Sequence, residues 1–421
     1  MKSQTSKSPL SMFGLLVLGL FVLGAGSRVT GNPPSEASDA GSLFDEPYPL
    51  PTYVAKGLDW LASAQFENGG WGSGQHSAQH VRDPRAVQID PATTAFAAMA
   101  LMRAGSTVSE GPYHANVRKA LDYLLELVES SDSNTGQLTT VGGTQPQAKL
   151  GQNIDVSMVA QLLARALPTI TDNPELKRRV EGGLDKCVKK LEVSQQRDGS
   201  WNQAGWAPVL QSAAANSALE AAAKAGRKVD KDMLDRSREY QRRNVDTASG
   251  DVRTEAAAGI SLYSIASNQR ATAPEAKEAL DSIERAKNDG RLDEEAEVTP
   301  DNLQKAGYSR DQASKIYESY QQNEITKRML QDDRVLSGFG NNGGEEFLSY
   351  MMTSESLVVT GDAQWQSWYQ RMNDLFSKVQ NGNGSWSGHH CITSPVFCTA
   401  AVILTMTADR DVEFLRAEAN G

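Results

Sequence analysis

The sequence is poor in cysteine, in aromatic residues and in positive charge. Three cysteines in 421 residues are too few for a scaffold built on disulfides, so the core must be held by packing. The net charge is −10, which argues against the basic surface of a general nucleic-acid-binding protein. With 39% hydrophobic and 22% charged residues, the composition is that of a soluble globular protein.

The N-terminus has the pattern of a secretory signal. Lys2 and Lys7 precede the apolar run Met12–Leu23, and small residues follow it. The pattern predicts a signal peptide over residues 1–26 and export to the periplasm or the extracellular space. Membrane anchoring by an uncleaved signal is the alternative. Residues 27–52, rich in Gly, Pro, Ser and acidic residues, are predicted to be a flexible leader.

An internal repeat follows. Three stretches share the pattern Gln-x-x-x-Gly-x-Trp: Gln65–Trp71, Gln195–Trp201 and Gln380–Trp386. Each closes an amphipathic helical stretch. The Gly permits a tight turn, the Trp can cover the helix end, and the Gln can satisfy free backbone groups there. We interpret the motif as a structural clasp; an aromatic ligand-binding site is the alternative.

Amphipathic and apolar helical stretches alternate along the chain. The apolar stretches are Thr93–Arg103, Asp155–Leu167, Ser212–Ala225, Thr254–Ser267, Glu345–Val359 and Val396–Thr407. An amphipathic helix should lie outside with one wet face, and an apolar helix should be buried between neighbours. An open stack of helices needs polar end caps, and neither end of this series is polar. The sequence therefore predicts an all-α, closed α/α6 toroid of six inner and six outer helices. An open solenoid is the alternative.

The predicted toroid domain spans residues 53–408, and residues 409–421 are predicted to be a C-terminal tail. A charged insertion, residues 276–336, precedes the fifth inner helix. Part of it, Ser309–Leu330, is expected to supply the fifth outer helix. The rest is expected to be an exposed excursion that a protein partner can bind.

The motif and the helix alternation resemble the terpenoid cyclase and protein prenyltransferase superfamily, which includes the squalene cyclases. The resemblance covers about residues 53–408 and implies a ring with a central cavity for an apolar or extended ligand. Class II terpene cyclases use an Asp-x-Asp-Asp acid, and the nearest strings here, Asp90-Pro91-Ala92 and Asp332-Asp333-Arg334, do not match it. Asp90 and Asp155 are better interpreted as helix N-caps.

The densest cluster of chemically active residue types is His389-His390-Cys391, just before the last apolar helix. In the protein prenyltransferases, a zinc-binding His lies near this point, and zinc accepts His nitrogen and Cys thiolate. The other string of that pattern, Asp185-Lys186-Cys187, lies on an amphipathic helix, and Cys187 is expected in the core. A metal or catalytic site, a Cys391–Cys398 disulfide, and a polar loop with buried cysteines are the competing interpretations.

If the ring closes, the starts of the inner helices share one rim. Glu345 or Glu346 is then expected to approach His389 or His390, with His76 and His80 on the same rim. The candidate catalytic residues are Glu345 and His389, and the candidate metal ligands are His390 and Cys391, with zinc as a possible cofactor.

Three functions remain open on the sequence alone. The first is an exported prenyltransferase- or squalene-cyclase-like protein with a central cavity and unproven activity. The second is a non-enzymatic binding or scaffold ring. The third is a glycan-active toroid enzyme, for which aromatic platforms beside acidic residues would be expected.

Overall fold

The computed structural model describes residues 44, 46–201, 204–340 and 342–417. The predicted signal peptide and most of the predicted leader lie outside these residues. The α-helices are α1 (Thr52–Ser63), α2 (Pro91–Arg103), α3 (His114–Ser130), α4 (Gln145–Lys149), α5 (Ile154–Ala166), α6 (Pro174–Ser194), α7 (Pro208–Lys224), α8 (Lys231–Arg242), α9 (Ser261–Asn288), α10 (Pro300–Ala306), α11 (Arg310–Met329), α12 (Asp333–Leu336), α13 (Gly344–Thr360), α14 (Trp365–Val379), α15 (Pro395–Met406) and α16 (Val412–Arg416). Among the described helices, none combines the length and the hydropathy of a membrane span.

The inner helices form a closed ring. In the order α2, α5, α7, α9, α13 and α15, each packs against the next, and α15 packs against α2. At this closure the rings of Phe96 and Phe397 lie 4.8 Å apart. The predicted all-α class and the α/α toroid are confirmed. A strict sixfold count is not confirmed, because α9 runs on for 28 residues and α4, α10, α12 and α16 fall outside the alternation.

Burial explains which helices are inside. In α2, eight residues in succession, from Ala95 to Met102, are apolar, and nearly the whole helix is buried. Asp90 caps it by accepting the Thr93 N–H at 2.8 Å, and Pro91 is its first residue, as expected from the sequence. Outer helices such as α6 bury one stripe, which includes Leu184, and expose the rest. The distribution of polar and apolar residues around each helix therefore decides whether the helix lies in the inner or the outer layer.

Each Gln-x-x-x-Gly-x-Trp motif clasps three helices, and the structural interpretation holds at all three copies. The indole N–H of the Trp donates to a carbonyl near the end of the preceding outer helix. These bonds are Trp71–Leu61 (2.8 Å), Trp201–Leu191 (2.9 Å) and Trp386–Phe376 (2.9 Å). The backbone N–H of the same Trp donates to a hydroxyl of the following inner helix, on Thr94, Ser212 or Thr399.

The Gln of each motif reaches the first turn of the next outer helix. Its amide donates to a carbonyl there: Gln65 to Asn116 (2.9 Å), Gln195 to Met233 (2.9 Å) and Gln380 to Tyr53 (2.7 Å). The third of these bonds joins α14 to α1 and so closes the outer layer. The central Gly has φ of +90° to +93° at all three copies, and a Cβ there would press on the backbone of that next helix.

The insertion has a small core of its own. Residues of α9, α10 and α11 pack together there, including Ile283, Leu303 and Ile316. Helix α11 agrees with the expected outer helix. The expected inner helix Thr254–Ser267 begins later, at Ser261, because Ala258 and Gly259 have positive φ (53° and 80°) and form a turn.

Segments next to the predicted toroid boundaries also pack on the ring. Tyr48 stacks on Tyr369 of α14 with ring centres 4.5 Å apart. Its backbone N–H donates to Asp409 at 2.8 Å. Helix α16 packs against α13 and buries Leu415.

Candidate functional site

The N-terminal rim is the edge of the ring formed by the starts of the inner helices and the loops before them. At one point of this rim, two loops are bonded together. The Gly344 N–H donates to the Ile392 carbonyl (3.0 Å), and the His389 N–H donates to the Asn342 carbonyl (2.8 Å). Because of these bonds, the first residues of α13 lie beside the loop that carries His389, His390 and Cys391.

Glu346 is buried and faces His390. One carboxylate oxygen, Oε1, accepts the Tyr263 hydroxyl at 2.5 Å and the Phe339 N–H at 2.9 Å. The other, Oε2, lies 3.7 Å from Nε2 of His390 and has no hydrogen-bond partner among the described residues. A Cβ on Gly343 would lie 2.3 Å from this oxygen. A side chain at residue 343 would therefore displace the Glu346 carboxyl group or the His390 ring.

Glu345 is a second buried carboxyl at the same place. Its Oε2 accepts the Ile392 N–H at 3.2 Å, and its Oε1 has no partner among the described residues. Burial, followed by the charge of Glu346, raises the pKa of Glu345 to about 8. Glu345 therefore carries a proton at neutral pH. Burial and the neighbouring Glu345 also raise the pKa of Cys391 to about 12, so this thiol stays protonated.

The two histidines differ in exposure. His389 is exposed, and its Nδ1 lies 2.8 Å from the Asn342 carbonyl. His390 is half-buried; burial lowers its pKa, and the opposing charge of Glu346 recovers only part of that shift. The two rings are 4.4 Å apart. His390 is thus a neutral imidazole near pH 7, able to accept a proton.

The first loop of the chain reaches the same place. The Gln79 amide donates to the Cys391 carbonyl, and the Thr393 hydroxyl donates to the Gln79 carbonyl at 2.7 Å. His76 and His80 lie on either side of Gln79 in the sequence, and so belong to the loop that the sequence analysis expected on this rim. His80 is exposed, and Nδ1 of His76 has no partner among the described residues.

Two exposed aromatic rings stand beside the histidines. Trp206 and Phe339 come from different loops, and their rings meet edge to face with centres 5.9 Å apart. Phe339 in turn meets the His390 ring at 5.0 Å. The Lys149 ammonium lies 4.6 Å from the centre of the Trp206 ring. Neither ring was predicted to belong to a site, because neither is part of a repeat motif or an inner helix.

A second pair of buried acids lies elsewhere on the rim. Burial raises the pKa of Asp90 to about 6 and that of Asp155 to about 7, with the charge of Asp90 adding to the second shift. The prediction that Asp155 is an N-cap is wrong. Helix α5 begins at Ile154, so Asp155 lies in its first turn and accepts the Gln147 amide at 2.7 Å.

The opposite, C-terminal rim is closed by buried ion pairs that the sequence analysis missed. Glu355 of α13 meets Arg103 of α2 at 2.6 Å and Arg270 of α9 at 3.0 Å. Arg270 also meets Glu220 of α7 at 3.0 Å. Asp411, which precedes α16, meets Arg103 at 2.9 Å. The side chains of Glu355, Glu220, Arg103 and Arg270 are almost fully buried, and each is paired with an opposite charge.

The fit to zinc is incomplete. Within the part of the chain that the structure describes, no three His, Cys, Asp or Glu side chains are arranged to hold a metal ion. The metal role of His390 and Cys391 therefore stays a prediction. Cys391 and Cys398 are both free, and Cys398 donates to the Ile392 carbonyl at 3.6 Å instead. Cys187 is fully buried in the core, as expected.

Two cavities lie away from the histidine cluster. One, about 470 Å³, lies in the insertion between α9 and α11. The other, about 370 Å³, opens near the C-terminal rim beside α16. Neither has Glu345, His389 or Cys391 in its walls. His389 is exposed on the surface of the N-terminal rim.

The comparison with protein families supports the resemblance. Residues 44–147 match the family model of the squalene-hopene cyclase C-terminal domain. This range holds the first repeat motif and the first outer–inner helix pair. The match confirms the resemblance to the terpenoid-cyclase-like α/α-toroid superfamily. The histidine cluster lies outside the matched range, so the match does not bear on its chemistry. No curated protein matches the chain.

Proposed function

We propose that this squalene-cyclase-like protein is an enzyme that performs acid–base chemistry at its N-terminal rim. His390 is the general base, Glu346 orients it and balances its charge, and Glu345 holds a proton nearby. The observation that carries the proposal is the buried carboxylate oxygen of Glu346, which faces Nε2 of His390 at 3.7 Å; neither atom has a hydrogen-bond partner among the described residues.

The protonation states suit these roles. The Tyr263 hydroxyl and the Phe339 N–H both donate to Oε1 of Glu346 and fix this carboxyl group beside His390. The charge of Glu346 stabilises the imidazolium that forms when His390 takes a proton from a substrate or a water molecule. Glu345, protonated up to about pH 8, can return a proton if the glycine-rich loop before α13 admits the substrate. His389, exposed next to His390, is placed to contact the ligand.

The location of the site argues against a ligand held in the centre of the ring. The two buried carboxyl groups and both histidines lie at the N-terminal rim, while Glu355 and its arginine partners bridge the inner helices at the opposite end. We therefore propose that the ligand binds on the rim, beside Trp206 and Phe339, and not in a central cavity. Export is part of the proposal and rests on the signal pattern of residues 1–26. Sequencing the N-terminus of the mature protein tests it, and a retained Met1 would contradict cleavage.

The test is a comparison of pH–rate profiles on whichever substrate class the purified chain turns over in a screen. His390→Ala and Glu346→Gln should each lower kcat by about 100-fold or more, as for loss of a general base. The wild-type rate should fall above about pH 8 as Glu345 loses its proton, and Glu345→Gln should remove that alkaline limb. Glu318→Gln, an exposed substitution on α11, is the control. Unchanged kcat in both His390→Ala and Glu346→Gln, or no turnover by the wild type, would contradict the proposal.

A further inference from the structure

We propose that Trp206 and Phe339 bind a sugar ring, so that the ligand of the N-terminal rim is a glycan. The two rings form an exposed corner, which we call the aromatic corner. The inference rests on the proposed function for what happens to the glycan, but the binding itself can be measured separately.

The exposure of these rings calls for an explanation. The large hydrophobic side chains that are exposed in the described part of the chain are Val193 (45%), Trp206 (36%) and Phe339 (54%). Two of these three touch each other, although their loops precede different inner helices, α7 and α13. Adjacent exposed aromatic rings in a soluble protein mark a binding surface more often than chance exposure does.

The corner is held in place by its surroundings. The Phe339 N–H is bonded to the buried Glu346, and the glycines on either side, Gly338 and Gly340, have positive φ of 54° and 147°. The Lys149 ammonium against the Trp206 ring fixes the other side of the corner. A rigid ring loses little conformational entropy when a ligand packs on it.

The size and borders of the corner favour a sugar. The apolar surface consists of two rings at 79° to each other, and polar groups border it at both ends: Lys149 next to Trp206, and His390 next to Phe339. A sugar ring has an apolar face that can pack on an aromatic ring and hydroxyl groups at its edge that need polar neighbours. An isoprenoid chain would instead need a long apolar groove.

The aromatic corner also lies next to the acid–base site. Phe339 is in contact with His390 and shares Glu346 with it through its backbone. A sugar ring held against Phe339 would therefore lie beside the His390 ring, whose two nitrogens are themselves buried. The buried acids and the aromatic platform are the two features expected of a glycan-active toroid.

The test is affinity electrophoresis of the full chain in gels that contain one soluble polysaccharide each: xylan, a mixed-linkage β-glucan or polygalacturonate. At least one should retard the wild type. Trp206→Ala and Phe339→Ala should each weaken that retardation by about tenfold. Val193→Ala, which removes the third exposed hydrophobic side chain, is the matched control and should bind like the wild type. Absence of retardation in all three gels, or equal retardation of Trp206→Ala and wild type, would overturn the inference.

Two further measurements separate this inference from the proposed function. The Glu345 carboxyl group accepts the Ile392 N–H and not a group of the aromatic corner. Glu345→Gln should therefore bind the retarding polysaccharide as the wild type does but turn it over more slowly. Binding without any turnover by the wild type would leave the glycan site standing and contradict the enzyme. Binding of polyprenyl phosphate micelles that is lost in Trp206→Ala and Phe339→Ala, with no polysaccharide binding, would assign the corner to an isoprenoid instead.

Discussion

Two glutamates on one helix show how strongly the surroundings of a side chain decide its chemistry. Glu345 and Glu355 lie at opposite ends of α13, and both are buried. Glu345 has another acid beside it, and its pKa rises to about 8. Burial alone would also raise the pKa of Glu355, but Arg103, Arg270 and Arg165 outweigh it and lower that pKa to about 2. One end of the helix therefore stores a proton, and the other holds a fixed negative charge.

The raised pKa of Glu345 predicts an alkaline loss of stability. The folded state holds this proton more tightly than the unfolded state, whose pKa is near 4.5. The contribution of Glu345 to the free energy of unfolding is therefore full below about pH 4.5 and is lost as the pH rises to about 8. Glu345→Gln should remove that loss, which is on the order of a few kcal/mol. Urea unfolding at pH 5 and pH 8 measures it. An identical pH dependence in Glu345→Gln and wild type would contradict the assignment.

At the scale of the elements, the repeat motif is a joint between helices. Its Trp fastens an outer helix to the following inner helix, and its Gln fastens the same turn to the next outer helix. The glycine in the motif is required for two reasons. Its φ is near +90°, and the backbone of the next outer helix lies where a Cβ would be.

Two glycines in the third motif allow a matched test of this requirement. Gly384 has φ of +93°, and a Cβ there would lie 3.0 Å from the Lys56 carbonyl oxygen. Gly382, two residues earlier in the same turn, has open space around it and does not adopt positive φ. Gly384→Ala should lower the free energy of unfolding by about 1–3 kcal/mol. Gly382→Ala should leave it unchanged or raise it by about 0.5 kcal/mol. Equal stabilities in chemical denaturation would mean that the turn tolerates a side chain.

At the scale of the whole molecule, the buried ion pairs of the C-terminal rim bind helices that are far apart in sequence. Glu355 joins α13 to α2 and α9, and Glu220 extends the network to α7. Removing one partner from such a network leaves the others charged, buried and unpaired, which costs more than the pair itself contributes.

Glu355→Gln should therefore lower the free energy of unfolding by about 3–5 kcal/mol. The lowered pKa of Glu355 also predicts a loss of stability in acid. The contribution of Glu355 to the free energy of unfolding is present above its unfolded pKa of 4.5 and is lost as the pH falls towards about 2. Glu192→Gln, at an exposed pair with Lys189, should cost about 1 kcal/mol or less. Guanidinium unfolding of the three proteins checks this. A loss in Glu355→Gln no larger than in the control would show that the network is not needed for stability.

Periodicity predicted the alternation of inner and outer helices, because the polar and apolar faces of a helix recur every third or fourth residue, and the lack of a polar cap at either end predicted that the ring closes. It also predicted that an acid at the start of α13 would approach the histidines, since closure brings the inner-helix starts to one rim. The bond from Tyr263 to Glu346 and the contact between Trp206 and Phe339 were not predictable in this way. They depend on how each helix is rotated and how each loop folds, which local patterns do not encode.

The ion network did leave a trace in the sequence. A buried charged residue lies ten to thirteen positions into each of five inner helices: Arg103, Arg165, Glu220, Arg270 and Glu355. Isolated charges of both signs at the same depth of neighbouring helices indicate buried pairing, because an unpaired charge could not stay there. The errors in the predicted starts of α5 and α9 have the same cause, since both starts depend on the geometry of the preceding turn.

The bond from Gln380 to Tyr53 has a consequence for biosynthesis. The two residues are 327 positions apart, so the ribosome needs roughly half a minute to deliver the second after the first. Throughout that interval, one side of α1 lacks its native neighbour, and the apolar face of α1 is exposed to other nascent chains. The outer layer therefore cannot close until the last repeat has been made.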